Sequence, residues 1–247
     1  MSLVSIITPT FNSLPYIKDV YNCLLKQTHK NWEWVVTDDC SSDGTLEWLI
    51  SQSDERIKIS VNTVNSGAAV SRNNSISRAV GEYIAFIDSD DIWDELKLEK
   101  QVEFMDSNGV NFCFTPYSVI DDDGKDLGMK VDTHILTTVD YEDMLRKKVT
   151  LGCSTVMLKR SFLGKIRMPL IRTGQDYALW LKLLKKDCAH VLPLVLTKYR
   201  ITANSISRNK LKKAMRQWSI YREIEGLDLF KSIECFFFYA IRAVFRK

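Results

Sequence analysis

Three carboxylates stand within four residues at Asp88-Ser89-Asp90-Asp91, directly after the apolar run Tyr83-Ile84-Ala85-Phe86-Ile87. Charges that close repel one another in a dry site, so the cluster needs a positive partner. A divalent cation with oxygen ligands supplies one, and Mg2+ or Mn2+ characteristically takes one or two carboxylates while substrate phosphates complete the shell. Alternate residues of an extended segment point the same way, so Asp88 and Asp90 can face one ion. The competing interpretation of an isolated Asp-x-Asp is a solvated acidic turn; its place at the exit of a buried strand favours the metal.

Other polar groups gather at the ends of three earlier runs of the same kind. Thr8-Pro9-Thr10-Phe11-Asn12 follows the first, Asp38-Asp39-Cys40-Ser41-Ser42-Asp43 the second, and Asn65-Ser66-Gly67, leading to Arg72, the third. These positions converge only in an open α/β sheet, where ligands bind beyond the carboxyl ends of the strands. The patterning supports that fold. Residues 3–7, 32–37, 57–61 and 83–87 are short runs of Val, Ile and aromatics, suited to strands buried on both faces. Between them, Pro15 opens a helix carrying Ile17, Val20, Tyr21, Leu24 and Leu25 at three- and four-residue spacing, and helices are expected at 44–50 and 68–80. Alternation of this kind predicts a parallel sheet wound by right-handed crossovers. Further on, the sequence predicts a helix over 95–105, a strand over 111–117, a turn at Asp121-Asp122-Asp123-Gly124, a strand over 154–158, a helix over 176–185, a strand over 191–196 and a helical segment from Leu211.

With 247 residues the chain is long enough for one domain with a well-buried core, and its 34 basic against 31 acidic residues leave a net +3, too little for charge to hold a nucleic acid. The charge is uneven: from Ser207 onward there are 10 basic and 4 acidic residues, a net +6. Six cysteines without a CxxC pair fit a reducing cytoplasm, and residues 1–17 read as neither a signal peptide nor a membrane span. The longest uncharged apolar run of the C-terminal segment, residues 235–241, is too short to cross a bilayer. Basic residues interleaved there with Trp218, Phe230, Phe236, Phe237, Phe238 and Phe245 suit an interfacial helix on an anionic membrane; the alternative is a helix closing over the domain or pairing in a homodimer.

Val4-Ser5-Ile6-Ile7-Thr8-Pro9-Thr10-Phe11-Asn12, the stretch VVTDDCSSDGT at 35–45 and the stretch YIAFIDSDDIW at 83–93 resemble the leading motifs of the family 2 inverting glycosyltransferases of GT-A fold. Gly174-Gln175-Asp176-Tyr177-Ala178-Leu179-Trp180 resembles that family's later Glu-Asp-x-x-Leu-Trp motif, with Gln175 in place of Glu. The resemblance spans about residues 1–207. It implies a GT-A domain over 1–207, nucleotide-binding in 1–93 and acceptor-binding in 94–207, followed by a basic amphipathic segment at 208–247. It implies that Thr8, Asn12, Asp39 and Arg72 bind the nucleotide with uracil as base, that Asp88, Ser89 and Asp90 hold the donor, and that Asp88 and Asp90 ligate Mn2+ or Mg2+. Asp176 is then the general base, with Gln175 and Trp180 beside the acceptor, although at a helix start Asp176 also suits an N-cap and Trp180 suits the core.

The activity implied is transfer of glucose or galactose from a UDP-sugar to a polyprenyl-diphosphate-linked saccharide, with inversion to a β-linkage, in bacterial O-antigen or capsule assembly at the inner face of the cell membrane. One departure concerns the metal: the segment Tyr199-Arg200-Ile201-Thr202-Ala203-Asn204-Ser205-Ile206-Ser207 has Thr202 where the family commonly carries a metal-binding His. Two alternatives are a non-catalytic nucleotide-sugar binder and a phosphohydrolase with Asp88 as nucleophile. The latter chemistry normally sits after a first strand rather than a fourth.

Overall fold

The computed structural model describes residues 2–202 and 210–245. The expected boundary at 207/208, the end of the segment at Ala203-Asn204-Ser205-Ile206-Ser207 and the side chain of Phe245 lie outside the described residues.

The first half runs β1 (Val4–Thr10), α1 (Leu14–Lys26), β2 (Trp32–Asp38), α2 (Thr45–Ile50), β3 (Ile57–Val61), α3 (Ala68–Arg78) and β4 (Tyr83–Phe86). The second continues with β5 (Ile92–Trp93), α4 (Lys97–Asn108), β6 (Phe112–Phe114), β7 (Tyr117–Ile120), β8 (Asp126–Val131), β9 (Thr138–Val139) and α5 (Tyr141–Leu145). Then come a 3-10 turn at Cys153–Thr155, β10 (Met157–Lys159), α6 (Arg160–Leu163), α7 (Gln175–Leu184), β11 (Ala189–Val191) and β12 (Thr197–Arg200). The C-terminal segment holds α8 (Lys210–Ser219), a π turn at Ile220–Ile224 and α9 (Leu229–Phe245).

Eight strands form one sheet in the order β3-β2-β1-β4-β10-β6-β11-β9. β1 to β4 are parallel as their spacing predicts, while β10 enters antiparallel between β4 and β6. Both faces of the sheet are covered, and the side-chain alternation of a strand explains how. Val4, Ile6, Trp34, Val36, Ala85 and Ile87 pack on one side with Ile17, Leu24 and Leu98, whereas Ile7, Val35, Ile84 and Phe86 pack on the other with Trp180 and Leu179.

A second, four-stranded sheet, β5-β12-β7-β8, departs from the sequence expectation. The run predicted as one strand over 111–117 divides at Pro116 into β6 and β7, and the run predicted over 191–196 is interrupted at Pro193 between β11 and β12. Proline cannot donate to a ladder, so at both breaks the chain leaves the large sheet and enters the small one. β6 pairs with β11 and β7 with β12, both in parallel, so the two switches occur side by side. The acidic motif thus falls between β4 of the large sheet and β5 of the small one.

The C-terminal segment packs into the domain. Ile220, Tyr221 and Cys235 are buried in the same cluster as α7, and the Tyr221 hydroxyl donates to the Leu145 carbonyl at 2.5 Å. Gly174, at φ +78°, precedes α7 with Ile220 Cδ1 and Arg216 Nε only 3.1 and 3.2 Å from where a Cβ would sit. Glycine there meets both the left-handed backbone and the close approach. No helix among the described residues is long and apolar enough to cross a membrane.

Candidate functional site

The loops beyond β1, β2, β3 and β4 enclose a cleft of about 320 Å³ lined in part by Thr10, Phe11, Asp39, Arg72, Asp88, Ser89 and Asp90. A larger hollow of about 580 Å³, lined by Glu82, Arg160 and Arg167, lies at the opposite end of β4, away from these groups.

Local hydrogen bonds fix the cleft walls. Asn12 adopts a left-handed backbone at φ +49°, tolerable for Asn; its N–H donates to Ser41 Oγ and its side-chain oxygen accepts from the Ser42 N–H at 2.8 Å. Those bonds join the end of β1 to the end of β2. Asp38 is spent on the same turn, accepting from the Ser41 N–H and hydroxyl. Asp39, 4 % exposed, accepts three bonds: from Asn62 Nδ2 at 2.6 Å and the Ser66 N–H at 2.8 Å on Oδ1, and from the Gly67 N–H at 2.7 Å on Oδ2. Gly67 can turn its N–H toward Asp39 at the start of α3 because its φ of +86° suits glycine.

The acidic motif is organised by two buried arginines. Arg72 Nη2 contacts Asp88 Oδ1 at 2.5 Å, while its Nε and Nη1 are buried without a partner. Burial opposes the Arg72 charge, but the carboxylates of Asp88 and Asp176 outweigh it and hold the guanidinium above its ordinary range. Arg200 donates from Nε to the Asp90 carbonyl at 2.8 Å, from Nη1 to the Asp122 carbonyl at 2.7 Å and from Nη2 to Asp19 Oδ2 at 3.1 Å. Its guanidinium lies 5.3 Å from the Tyr16 ring centre. Asp91 is occupied, accepting from the Ser154 hydroxyl at 2.5 Å and from the Arg200 N–H at 2.9 Å. Ser154 Oγ in turn accepts from the Asp88 N–H, and Ser89 Oγ is 2.8 Å from Ser13 Oγ.

Burial, then the charge of Asp88, pushes Asp90 up to about 6. A cation beside Asp88 and Asp90 would reverse that penalty. No group of three or more His, Cys, Asp or Glu side chains among the described residues could hold an ion by itself. Asp88 and Asp90 both line the cleft, so a hard cation bound beside them would need phosphate oxygens and water to complete its shell.

The remaining expected residues separate. Asp176 is the second residue of α7, close enough to Arg72 and Cys153 for its charge to act on both, and is not among the residues that line the cleft. Gln175 beside it is 7 % exposed, with Oε1 unpartnered. Trp180 is fully buried, its ring centre 5.5 Å from those of Phe86 and Phe112, so it is a core residue and presents no wall to an acceptor. Thr8 is also fully buried, its hydroxyl accepting from Trp34 Nε1 at 2.8 Å. It sits too deep in β1 to reach the cleft, whose wall is built instead by Pro9, Thr10 and Phe11. Asn12 braces that wall from outside it. Thr202 lies two residues past β12. Sequence reasoning missed Ser154 and Arg200; each acts through the acidic motif from more than 60 residues away, and only the β5–β12 pairing brings Arg200 there.

Comparison with known proteins is consistent with this geometry. A family model described as Glycosyl transferase family 2 matches residues 5–167. TuaG of Bacillus subtilis (strain 168), named for a glycosyltransferase role in teichuronic acid biosynthesis, is 46% identical over 98% of this chain and 96% of its own length. The Escherichia coli UDP-Glc:alpha-D-GlcNAc-diphosphoundecaprenol beta-1,3-glucosyltransferase WfgD is 39% identical over 88% of this chain and 85% of its own. Among solved structures, S. aureus TarS residues 1–349 in complex with UDP-GlcNAc superimposes with a TM-score of 0.75 at 21% identity, covering 99% of this chain and 73% of that one, a likeness of fold.

Proposed function

The chain belongs to glycosyl transferase family 2 with the GT-A fold, and on that footing we propose that it transfers glucose or galactose from a UDP-sugar to a hydroxyl of a polyprenyl-diphosphate-linked saccharide, inverting the anomeric centre to a β-linkage. The observation that carries this reading is the meeting of Asp39, Arg72, Asp88 and Asp90 in one cleft beyond four consecutive parallel strands. WfgD, named for that acceptor and that bond, supports the substrate class. The setting we assign is bacterial polysaccharide assembly at the inner face of the cell membrane.

Residues 1–93 bind the nucleotide and residues 94–207 the acceptor. Asp39 holds the 62–67 loop against the base, and Oδ2, with a single donor, keeps a lone pair for the imide N–H of uracil. Phe11, half-exposed at the rim, gives the base an apolar face. Arg72, its Nη2 held by Asp88 and its Nε and Nη1 unpartnered, brings a positive charge and free donors to the diphosphate. Asp88 and Asp90 would hold Mn2+ or Mg2+, which when bound neutralises charge on the leaving diphosphate. Asp176 takes the acceptor hydroxyl's proton on the opposite side of the sugar. The test is UDP release from UDP-glucose and UDP-galactose, with and without a GlcNAc-diphosphate-lipid acceptor. The reading expects acceptor-dependent release and a β-linked product; UDP bound but never released would make the chain a binder, and phosphate release a hydrolase.

A further inference from the structure

α9 has two apolar faces, and the domain covers only one. On the covered face Ser232 and Cys235 are fully buried, and Phe236 meets Trp218 edge-on at 5.5 Å. On the other, Phe230 is 85% exposed, Ile233 52%, Phe237 61% and Ile241 36%. Steps of three, four and four residues align these side chains in one stripe, roughly 16 Å long at 1.5 Å per residue. The structure thus sorts the aromatics that sequence alone groups together: Phe236 belongs to the domain, whereas Phe230 and Phe237 face outward.

A contiguous apolar stripe marks a contact surface. From the usual size of Phe and Ile side chains its exposed area is on the order of 450 Å². That is about half the ~800 Å² that each partner of a stable protein–protein interface buries, so a second copy of the chain is a poor occupant. A lipid surface needs no matching shape. Charge agrees with it. The flank carries Glu142, Arg146, Lys231 and Glu234, tied by contacts of 2.6 Å from Lys231 to Glu142 and 2.7 Å from Arg146 to Glu234, two acids offsetting two bases. Residues 208–247 hold 10 basic and 4 acidic residues, with Arg242, Arg246 and Lys247 at the far end of the stripe's sequence. The described part of α9 is too short and too polar to span, so it can only lie flat.

We propose that the Phe230/Ile233/Phe237/Ile241 face of α9 docks the enzyme on an anionic lipid bilayer. The inference rests on the lipid-linked acceptor read above, since it seats the catalytic domain on the surface that would hold that substrate.

The full chain would be sedimented with vesicles of phosphatidylcholine alone and of phosphatidylcholine mixed with phosphatidylglycerol. Binding is expected to the mixed vesicles and to weaken with salt. Partial burial of a phenylalanine at the headgroup boundary corresponds to roughly tenfold in partitioning, so Phe230→Ser/Phe237→Ser should weaken binding on the order of a hundredfold. The same variant should leave transfer to a water-soluble acceptor unchanged. Phe230→Trp/Phe237→Trp should keep binding and show a vesicle-induced blue shift in fluorescence. Failure of the wild type to sediment, or equal binding by the Ser variant, would overturn the proposal. So would a dimer that the Ser substitutions dissociate while vesicle binding persists. Vesicle binding without transfer to any lipid-linked acceptor would remove the substrate reading and leave the docking face standing.

Discussion

Replacing Arg200 tests whether the acidic motif is held in place by a buried brace on β12. The side chain is 2% exposed and donates to three separate elements: the Asp90 carbonyl, the Asp122 carbonyl and Asp19. A lysine ammonium is compact and cannot span all three. Charge-assisted bonds to the two backbone carbonyls contribute about 1.5 kcal/mol each at the low end, and Lys keeps one of the two. The Asp19 carboxylate is half exposed, so losing that pair costs only about 0.5 kcal/mol. Arg200→Lys should therefore destabilise by about 2 kcal/mol and Arg200→Met, which loses both carbonyl bonds, by about 3.5 kcal/mol. For a chain of this length that is a fall in Tm of roughly 4–8 °C for the lysine variant, read by thermal unfolding, with the methionine variant well below it. The loosened Asp90 should also raise KM for the UDP-sugar before kcat falls, and Asp19→Asn should leave Tm nearly unchanged. A Tm shift of the lysine variant below about 2 °C, or equal losses for the two variants, would refute the brace.

Two other substitutions follow from the same structure. Asp39→Asn must set an amide N–H against a backbone or Asn62 donor, which costs about 2 kcal/mol and should raise KM for the UDP-sugar roughly 30-fold with kcat kept, as steady-state kinetics would show. Burial pushes the Lys97 ammonium down to about 7 from an ordinary 10.5, so between those values the unfolded chain binds more protons than the native one. Stability should then rise with pH across that window, by up to about 1.4 kcal/mol per unit, and Lys97→Met should remove that slope in denaturant melts at successive pH.

The N-terminal half was legible because four strands and three helices announce themselves by local periodicity, although β3, expected to be buried on both faces, is the half-exposed edge strand, and the polar residues just after each strand need only the sheet to bring them together. Arg72 and Asp88 meet that way, sixteen residues apart. What stayed hidden depends on pairing that no local pattern encodes. β5 is two residues long, and its partner β12 comes from more than 100 residues later, so neither the small sheet nor the Arg200 brace has a sequence signature. Trp180 shows a different limit. A tryptophan one turn after a catalytic carboxylate suits a sugar-binding wall equally well, but α7 turns that side chain into the sheet, against Phe86 and Phe112. Thr8 belongs to the same class: every residue of β1 is buried, so alternation along the strand could not tell which position emerges into the cleft.

The central proposal is that the carboxylate at position 176 removes the acceptor's proton while the cleft lined by Asp39, Arg72, Asp88 and Asp90 holds the nucleotide. Asp176→Asn keeps the size and the helix start but cannot accept that proton. Turnover and UDP affinity measured on the same preparation should part company, with kcat falling on the order of a hundred- to ten-thousandfold and the Kd for UDP unchanged. A variant that retains turnover within about tenfold of the wild type would contradict it.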